Sequence, residues 1–351
     1  MNEADYLRLV RGDIRGPAAN LGRVALNGAS KLYGIGVGLR NVAFNRGWKK
    51  THRVGIPVIS IGNITLGGTG KTPMVEWVAR WFRQRDLRVA ILSRGYGQDE
   101  GINDEGRVLE ENLPDVPHLQ NPDRVSLAHV AVEELESQVL VLDDGFQHRR
   151  LGRDLDIVLL DALEPFGLGR IFPRGLLREP VRSLKRAVVV VLSRADLVEP
   201  ERRLEIRAEA ERHAGPLRWV EARHAPLDLV DSHGDAEPLA SLTGQRVAAF
   251  CGIGNPEGFR KTLQGLGVNS VGFRSFPDHH PYSATDVDDL ARWGASVGAD
   301  LILTTQKDSV KLRTSTLAAT PLRALRIGLD ITEGRAILDE ALGRLLPPDP
   351  T

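Results

Sequence analysis

The stretch Ile56–Phe82, IPVISIGNITLGGTGKTPMVEWVARWF, constrains this chain more than any other. An apolar run, Val58-Ile59-Ser60-Ile61, leads into a glycine-rich turn, Gly67-Gly68-Thr69-Gly70. Lys71, Thr72 and Pro73 follow, then Met74, Val75, Trp77, Val78, Trp81 and Phe82 at helical spacing. The pattern predicts a buried strand, a loop and an amphipathic helix. Pro73 suits the first turn of that helix, where a missing N–H costs little. Backbone N–H groups at such a loop and helix start converge on an anion. Lys71 then reaches outer phosphates and the Thr72 hydroxyl ligates Mg²⁺. The general phosphate-loop pattern has glycine where this chain has Thr65, so an ordinary glycine-rich turn is the competing reading. The lysine–hydroxyl pair in its strand–loop–helix setting favours the phosphate site.

The chain has 351 residues, enough for two domains. Its formal net charge is zero, which suggests no nucleic-acid partner. A single cysteine, Cys251, excludes an intramolecular disulfide framework and fits a reducing compartment. No apolar run approaches the roughly 18 residues of a membrane span, and no secretory signal is expected.

Residues 1–53 are basic, with Arg8, Arg11, Arg15, Arg23, Lys31 and Arg40 among the cations. Leu21, Ala25, Ala29, Leu32, Leu39 and Val42 recur near helical spacing. Gly28, Gly34, Gly36 and Gly38 argue against one long helix. Such a segment either lies on an anionic bilayer surface or packs its apolar side on the domain.

After the phosphate loop, the strand Arg88–Leu92 ends in Ser93-Arg94-Gly95-Tyr96-Gly97, and an acidic loop runs from Gln98 to Gly106. Ligands in open α/β sheets bind beyond the carboxyl ends of strands, so these acids either face the phosphates or are solvated. The strand Gln138–Leu142 ends in Asp143-Asp144-Gly145-Phe146-Gln147-His148-Arg149, as phosphate-loop enzymes place acids near Mg²⁺. Strands follow at Asp156–Leu160 and Ala187–Leu192, with a glycine- and arginine-rich loop between them. Its arginines either read an anionic group or keep the surface soluble. Alternating strands and helices predict a largely parallel sheet. A second alternating set starts at Arg246 and carries Phe276-Pro277-Asp278-His279-His280. Adjacent histidines point in different directions and make a poor metal pair. One of them beside a carboxylate can help it accept a proton.

Taken together, GNITLGGTGKTP, SRGYG, DDGFQHR, GRIFPRGLLREP, SRAD, GIGNP, FPDHH and TTQKD resemble the tetraacyldisaccharide 4′-kinase (lipid A 4′-kinase) family, in that family's order. The resemblance implies two α/β/α domains, the first like phosphate-loop NTPases with a largely parallel sheet, the second a smaller α/β domain. It implies boundaries at 1–53 for a membrane-associating region, 54–220 for the kinase domain and 221–351 for a domain closing the substrate cleft. It implies γ-phosphate transfer from ATP, with Mg²⁺, to the 4′-hydroxyl of a tetraacyldisaccharide 1-phosphate. Peripheral attachment to the anionic cytoplasmic face of the inner membrane goes with it, and no obligate protein partner is expected.

Residue by residue, the resemblance puts Lys71 and Thr72 at the phosphate and Mg²⁺ positions, Asp104-Glu105 at the family's acidic pair and Asp143-Asp144 at its strand-end acids. ATP contacts are expected at Thr65, Gly67, Gly68, Thr69, Gly70, Lys71, Thr72 and Arg94, and the metal at Thr72, Glu105, Asp143 and Asp144. Catalysis falls to Asp104 as base, with His279 and Lys71; Arg178 stabilises phosphate charge. Motion of the second domain would carry His279 toward Asp104. The chain departs from the family pattern in the short segment before Asp104, which keeps Asp99 and Glu100 as rivals. It departs also at Gly106, where proline is common, and at Gln306, where glutamate is common. Two other classes stay open: a phosphate-loop GTPase reading guanine through Ser193-Arg194-Ala195-Asp196, and a nucleotide-switched peripheral membrane protein. The first lacks the Asn and Lys of a guanine motif. A dimerising ATPase needs lysine where Leu66 stands.

Overall fold

The computed structural model describes residues 3–95 and 104–347. The chain forms two compact units. The first comprises Met1–Arg94, Val116–Arg223 and Asp330–Thr351; the second comprises Gly95–Asp115 and His224–Leu329. This differs from the linear division expected at 220/221. The physical reason lies in two long strands, β7 (Trp219–Val230) and β13 (Thr320–Glu333), which each run from one unit into the other.

In the first unit, β1 (Val58–Asn63) lies between β4 (Val139–Asp143) and β5 (Leu155–Asp161), parallel to both. β2 (Val89–Ser93) and β3 (His118–Gln120) extend the sheet on the β4 side. β6 (Val189–Ser193) and the start of β7 extend it beyond β5, all parallel. β1, β2, β4 and β6 are buried at every residue, as strands covered on both faces must be. The helix α3 (Lys71–Arg83) buries Met74, Val75, Val78, Ala79 and Phe82 on the sheet. The Trp81 indole donates to Asp339 (2.7 Å) in α10 (Arg335–Gly343), which ties the C-terminal helix back to this unit. The unit also carries α5 (Arg124–Glu133), capped by Asp123, and α6 (Pro200–Ala214).

The N-terminal segment corrects an expectation. After α1 (Glu3–Arg11), α2 is one helix of 29 residues, Pro17–Asn45, running through Gly28, Gly34, Gly36 and Gly38. Tertiary contacts overcome the weak propensity. The Ser30 hydroxyl donates to the Ile171 carbonyl (2.8 Å) and accepts from the Arg174 amide (2.8 Å). Arg40 and Asn41 both bond the fully buried Glu179, each at 3.0 Å. Arg186 bonds the same carboxylate at 2.8 Å. The glycine- and arginine-rich loop is therefore the seat of α2. Among the described residues, no helix is long and apolar enough to cross a membrane.

In the second unit, β9 (Arg246–Cys251) pairs in parallel with β10 (Asn269–Ser275) and β11 (Leu301–Thr305), and β11 with β13. β8 (Ala236–Glu237) and β12 (Thr316–Leu317) add short antiparallel edges to β7 and β13. Four helices complete the unit: α4 (Asp104–Asn112), α7 (Pro256–Gly265), α8 (Ala284–Ser296) and α9 (Gln306–Leu312).

A Cβ at Gly62 would lie 2.6 Å from Phe146 Cβ and 2.8 Å from its backbone nitrogen. Gly62→Ala is therefore expected to destabilise the protein by about 1–3 kcal/mol. Gly28, with open space around it inside α2, is expected to gain up to about 1 kcal/mol of helix stability as alanine. Denaturant unfolding followed by circular dichroism checks both signs; a neutral Gly62→Ala would contradict the close packing.

Candidate active site

The phosphate loop starts where β1 ends. Ile64, Thr65 and Leu66 do not form a free turn. The Leu66 amide donates to Leu176 O (2.7 Å), the Arg178 amide donates to Ile64 O (2.7 Å), and Thr65 bridges Leu177 in antiparallel fashion. This explains Thr65 in a glycine position: the backbone there is extended, paired and buried. Glycine is needed further on, at Gly67 (φ +101°) and Gly70 (φ +82°), where the chain turns left-handed into α3. Gly68 has open space around it. Thr69 is pinned: its hydroxyl accepts from Asn63 Nδ2 (3.0 Å), and its carbonyl accepts from the Ser193 hydroxyl (2.8 Å). Thr69 therefore helps hold the loop's shape with its side chain and its carbonyl.

Lys71 and Thr72 open α3 and are partly buried. The Lys71 ammonium lies 3.6 Å from Asp144 Oδ1. Arg178 Nη1 reaches both oxygens of that carboxylate at 2.8 Å, and Arg124 donates to the Asp144 carbonyl at 3.3 Å. Burial by itself would raise the Asp144 carboxyl, but Lys71 and Arg178 outweigh it and hold the group below its ordinary value of 3.8. Asp143 ends β4 opposite Ile61 and is buried. The site is compact because Gly145 approaches Leu142 and Ser60 within distances a Cβ would not allow. Gln147 Nε2 ties the strand-end turn to the Asn63 carbonyl (2.8 Å). Arg94 is exposed just beyond β2.

A hydroxyl and two carboxylates at the carboxyl ends of β1 and β4 are hard oxygen donors of the kind Mg²⁺ accepts, together with phosphate and water. Among the described residues, no group of three or more His, Cys, Asp or Glu could hold a metal ion. The hydroxyl and carboxylate oxygens fit a Mg²⁺ ion that takes its other ligands from phosphate and water. Asp99, Glu100 and the Glu105 side chain lie outside the described residues.

Asp104 is the first residue of α4 and belongs to the second unit, with His279. This corrects an expectation: the boundaries drawn from the sequence put the two in different domains, whose motion could gate catalysis. Here both lie in one unit, with His279 Nδ1 3.1 Å from Asp104 Oδ2. His279 holds a left-handed backbone (φ +57°), fixed by its amide donating to Gly252 O (3.2 Å) and Asp278 Oδ1 (3.0 Å). Its neighbour His280 turns away, stacking on Phe276 with Nε2 3.2 Å from Asp286. Sequence reasoning missed two residues here. Lys311 Nζ lies 3.1 Å from Asp104 Oδ2 and 3.6 Å from Asp308 Oδ1. Both sit in the helix that starts inside the TTQKD motif, and their i, i+3 spacing was the available signal. The departure at Gln306 is compensated: Gln306 and Asn112 exchange amide hydrogen bonds of 2.9 and 3.2 Å, an exchange a carboxylate could not complete. In the guanine-type segment, Ser193 is used by Thr69, Arg194 pairs with Asp161, and Asp196 is exposed.

A family model described as tetraacyldisaccharide-1-P 4′-kinase matches residues 23–346. The tetraacyldisaccharide 4′-kinase of Anaeromyxobacter dehalogenans (strain 2CP-C) is 42% identical over 347 residues, covering 93% of this chain and 92% of the relative. That of Geobacter sulfurreducens is 37% identical over 359 residues, covering 96% and 98%. Among solved structures, LpxK from Aquifex aeolicus in complex with ATP is 32% identical with a TM-score of 0.76, covering 93% of this chain and 99% of that one.

Because Asp144 titrates below 3.8 when folded, its contribution to stability is present above that value and is lost as pH falls through the lower native one. Without nucleotide, Asp144→Asn is expected to be less stable than the unsubstituted protein at pH 7, and the gap to narrow as pH falls below 3.8. Urea unfolding across this range measures it; a gap independent of pH would show that Lys71 and Arg178 do not hold the carboxylate.

Proposed function

The chain belongs to the tetraacyldisaccharide-1-phosphate 4′-kinase family, and from that premise we propose that it transfers the γ-phosphate of ATP to the 4′-hydroxyl of a tetraacyldisaccharide 1-phosphate, with the roles below. The observation that carries the reading is the pair of charge clusters: Lys71 with Asp144 and Arg178 at the phosphate loop, and Asp104 with His279 in the second unit.

Residues Gly67–Thr72 cradle the triphosphate with backbone N–H groups, and the left-handed turns at Gly67 and Gly70 support this. Lys71 exchanges Asp144 for the outer phosphates. The Thr72 hydroxyl, with Asp143, Asp144 and Glu105 as candidate acids, would hold Mg²⁺, which supplies neutralisation of triphosphate charge. Arg178 keeps Asp144 ionised, and Arg94, exposed at the end of β2, is a candidate contact for an anionic group. Asp104, oriented by His279, accepts the proton of the sugar hydroxyl. The oxygen–phosphorus bond to the sugar forms as the bond to the leaving ADP breaks, and ADP departs with the electron pair.

The acceptor is a lipid, and the first unit offers it a surface. Leu21, Val24, Leu32, Ile35, Leu39 and Val42 are exposed along α2 at spacings that put them on one stripe. Exposed Trp48 lies under Arg46, an amphipathic ring beside a cation of the kind that anchors at a headgroup layer. A cavity of about 460 Å³ nearby is lined by Arg40, Phe44, Lys49, Lys50, Arg149 and Arg150, which suits an anionic headgroup. His148 in its wall stays neutral near pH 7, since burial and the adjacent arginines push it down to about 4. These features support peripheral attachment at an anionic inner-membrane surface, on the cytoplasmic side where ATP is available.

The decisive assay supplies ATP, Mg²⁺ and tetraacyldisaccharide 1-phosphate in detergent and follows phosphate onto the disaccharide. Lys71→Ala is expected to abolish turnover, and Asp104→Ala to lower kcat about 10²–10⁴-fold while ATP binding persists. Near-normal turnover of Asp104→Ala would remove it as the base, and a strong preference for GTP would favour the GTPase class. Leu32→Glu with Leu39→Glu is expected to release the protein from anionic vesicles without changing ATP affinity; undiminished co-sedimentation would remove α2 as the anchor.

A further inference from the structure

A buried ammonium is costly unless it is paired, and Lys311 is only 8% exposed in its side chain. It lies between two carboxylates of unequal status. Asp308 is fully buried, and its Oδ2 accepts from the Gly252 amide (3.0 Å) and the Thr305 hydroxyl (2.7 Å). That carboxylate is committed to the fold and cannot move to a substrate. Its Oδ1 faces Lys311 at 3.6 Å, so the ammonium rests on a fixed anion. Tyr282 flanks the ammonium, with its ring centre 5.9 Å away. Burial and the Asp308 charge push the Tyr282 phenol far above its ordinary value, so this wall is neutral. A Cβ at Gly252 would meet Tyr282 Oη at 3.0 Å and Asp308 Oδ1 at 3.1 Å, which leaves the cluster little room to rearrange.

Asp104 has the opposite status. It is 20% exposed, and two donors from different elements fall on one of its oxygens: Lys311 Nζ from α9 and His279 Nδ1 from the loop after β10, both 3.1 Å from Oδ2. Among the described residues, Oδ1 has no such partner. The reciprocal Asn112–Gln306 amide pair fixes α4 against α9 further along. Asp278 also lies near this pair, with Oδ1 4.0 Å from His279 Nε2.

We propose that Lys311, seated on Asp308, is a positioning residue for the kinase reaction: with His279 it fixes Asp104 by Oδ2 and leaves Oδ1 to take the proton of the acceptor hydroxyl. The inference rests on the reading of Asp104 as the base. In the step itself, the sugar O–H proton passes to Oδ1, the sugar oxygen bonds the γ-phosphorus, and ADP leaves with the electrons of the broken P–O bond. Lys311 touches neither substrate; it acts through the direction of one carboxylate. A catalytic group displaced by about 1 Å can cost about 10²-fold in rate.

The test is a double-mutant cycle in the detergent kinase assay, using Lys311→Met, Asp104→Asn and their combination. Lys311→Met is expected to lower kcat about 10–100-fold with the KM for ATP unchanged, and to have less than about a 2-fold effect once Asp104 is Asn. Should Lys311→Met leave a lone buried anion and fail to fold, Asp308→Asn with Lys311→Met removes both charges together, and the same comparison is made with that pair. A kcat within about 2-fold of the unsubstituted enzyme, or an equal loss in the Asp104→Asn background, overturns the positioning role. Near-normal turnover of Asp104→Asn alone would instead overturn the base assignment on which it rests.

Discussion

The first unit depends on how closely the ends of β1 and β4 approach. Gly62 and Gly145 leave no room for side chains, so Phe146 packs directly over the end of β1 and the Gly145 amide donates to Ile61 O (2.9 Å). That packing turns the chain sharply after β4 and puts Asp144 into a left-handed conformation (φ +51°), facing Lys71 across the loop. A parallel sheet leaves its ligand-binding ground beyond the carboxyl ends of the strands. Here the ground is filled by a carboxylate held between two cations. The electrostatics of the phosphate loop thus follow from the close packing that Gly62 and Gly145 allow.

The second unit solves a different problem with the same tools. It holds the Asp104 carboxylate partly exposed and fixed in direction. Asp104 sits in the first turn of a helix, where negative charge is favoured, and is bonded by donors from a loop and from a second helix. The cost of burying Lys311 is offset by Asp308, whose own cost is offset by the Gly252 amide and the Thr305 hydroxyl. Each member stabilises the next, and Asp104 keeps Oδ1 without such a partner among the described residues.

The N-terminal helices show tertiary structure overriding local preference. Five glycines along α2, Gly22 through Gly38, would make the isolated segment a poor helix. Glu179, inaccessible to water, gathers Arg40, Asn41 and Arg186, while Ser30 and Tyr6 bond the carbonyls of the loop that carries it. The side of α2 turned away from these contacts keeps its leucines and valines in solvent.

The strands β1, β2, β4, β5, β6, β9, β10 and β11, the phosphate loop and α3 were legible in the sequence because period, glycine punctuation and the lysine–threonine pair are local signals, whereas the long strands β7 and β13 were not read from it. The strand-end acids Asp143 and Asp144 and the FPDHH turn were legible for the same reason, and the motif series identified the family. The role of Thr65 was not, since only its pairing with Leu177 explains it. Nor was the assignment of residues 95–115 to the second unit, because a compact unit is defined by contacts between segments far apart in the chain. Lys311 illustrates the limit: in the sequence it is one cation among many, and its meaning comes from burial and from two carboxylates, one of them about two hundred residues away along the chain. Sequence by itself determined which local pieces form and what chemistry they resemble. Tertiary structure decided which charges meet, because desolvation and distance exist only once the chain has folded.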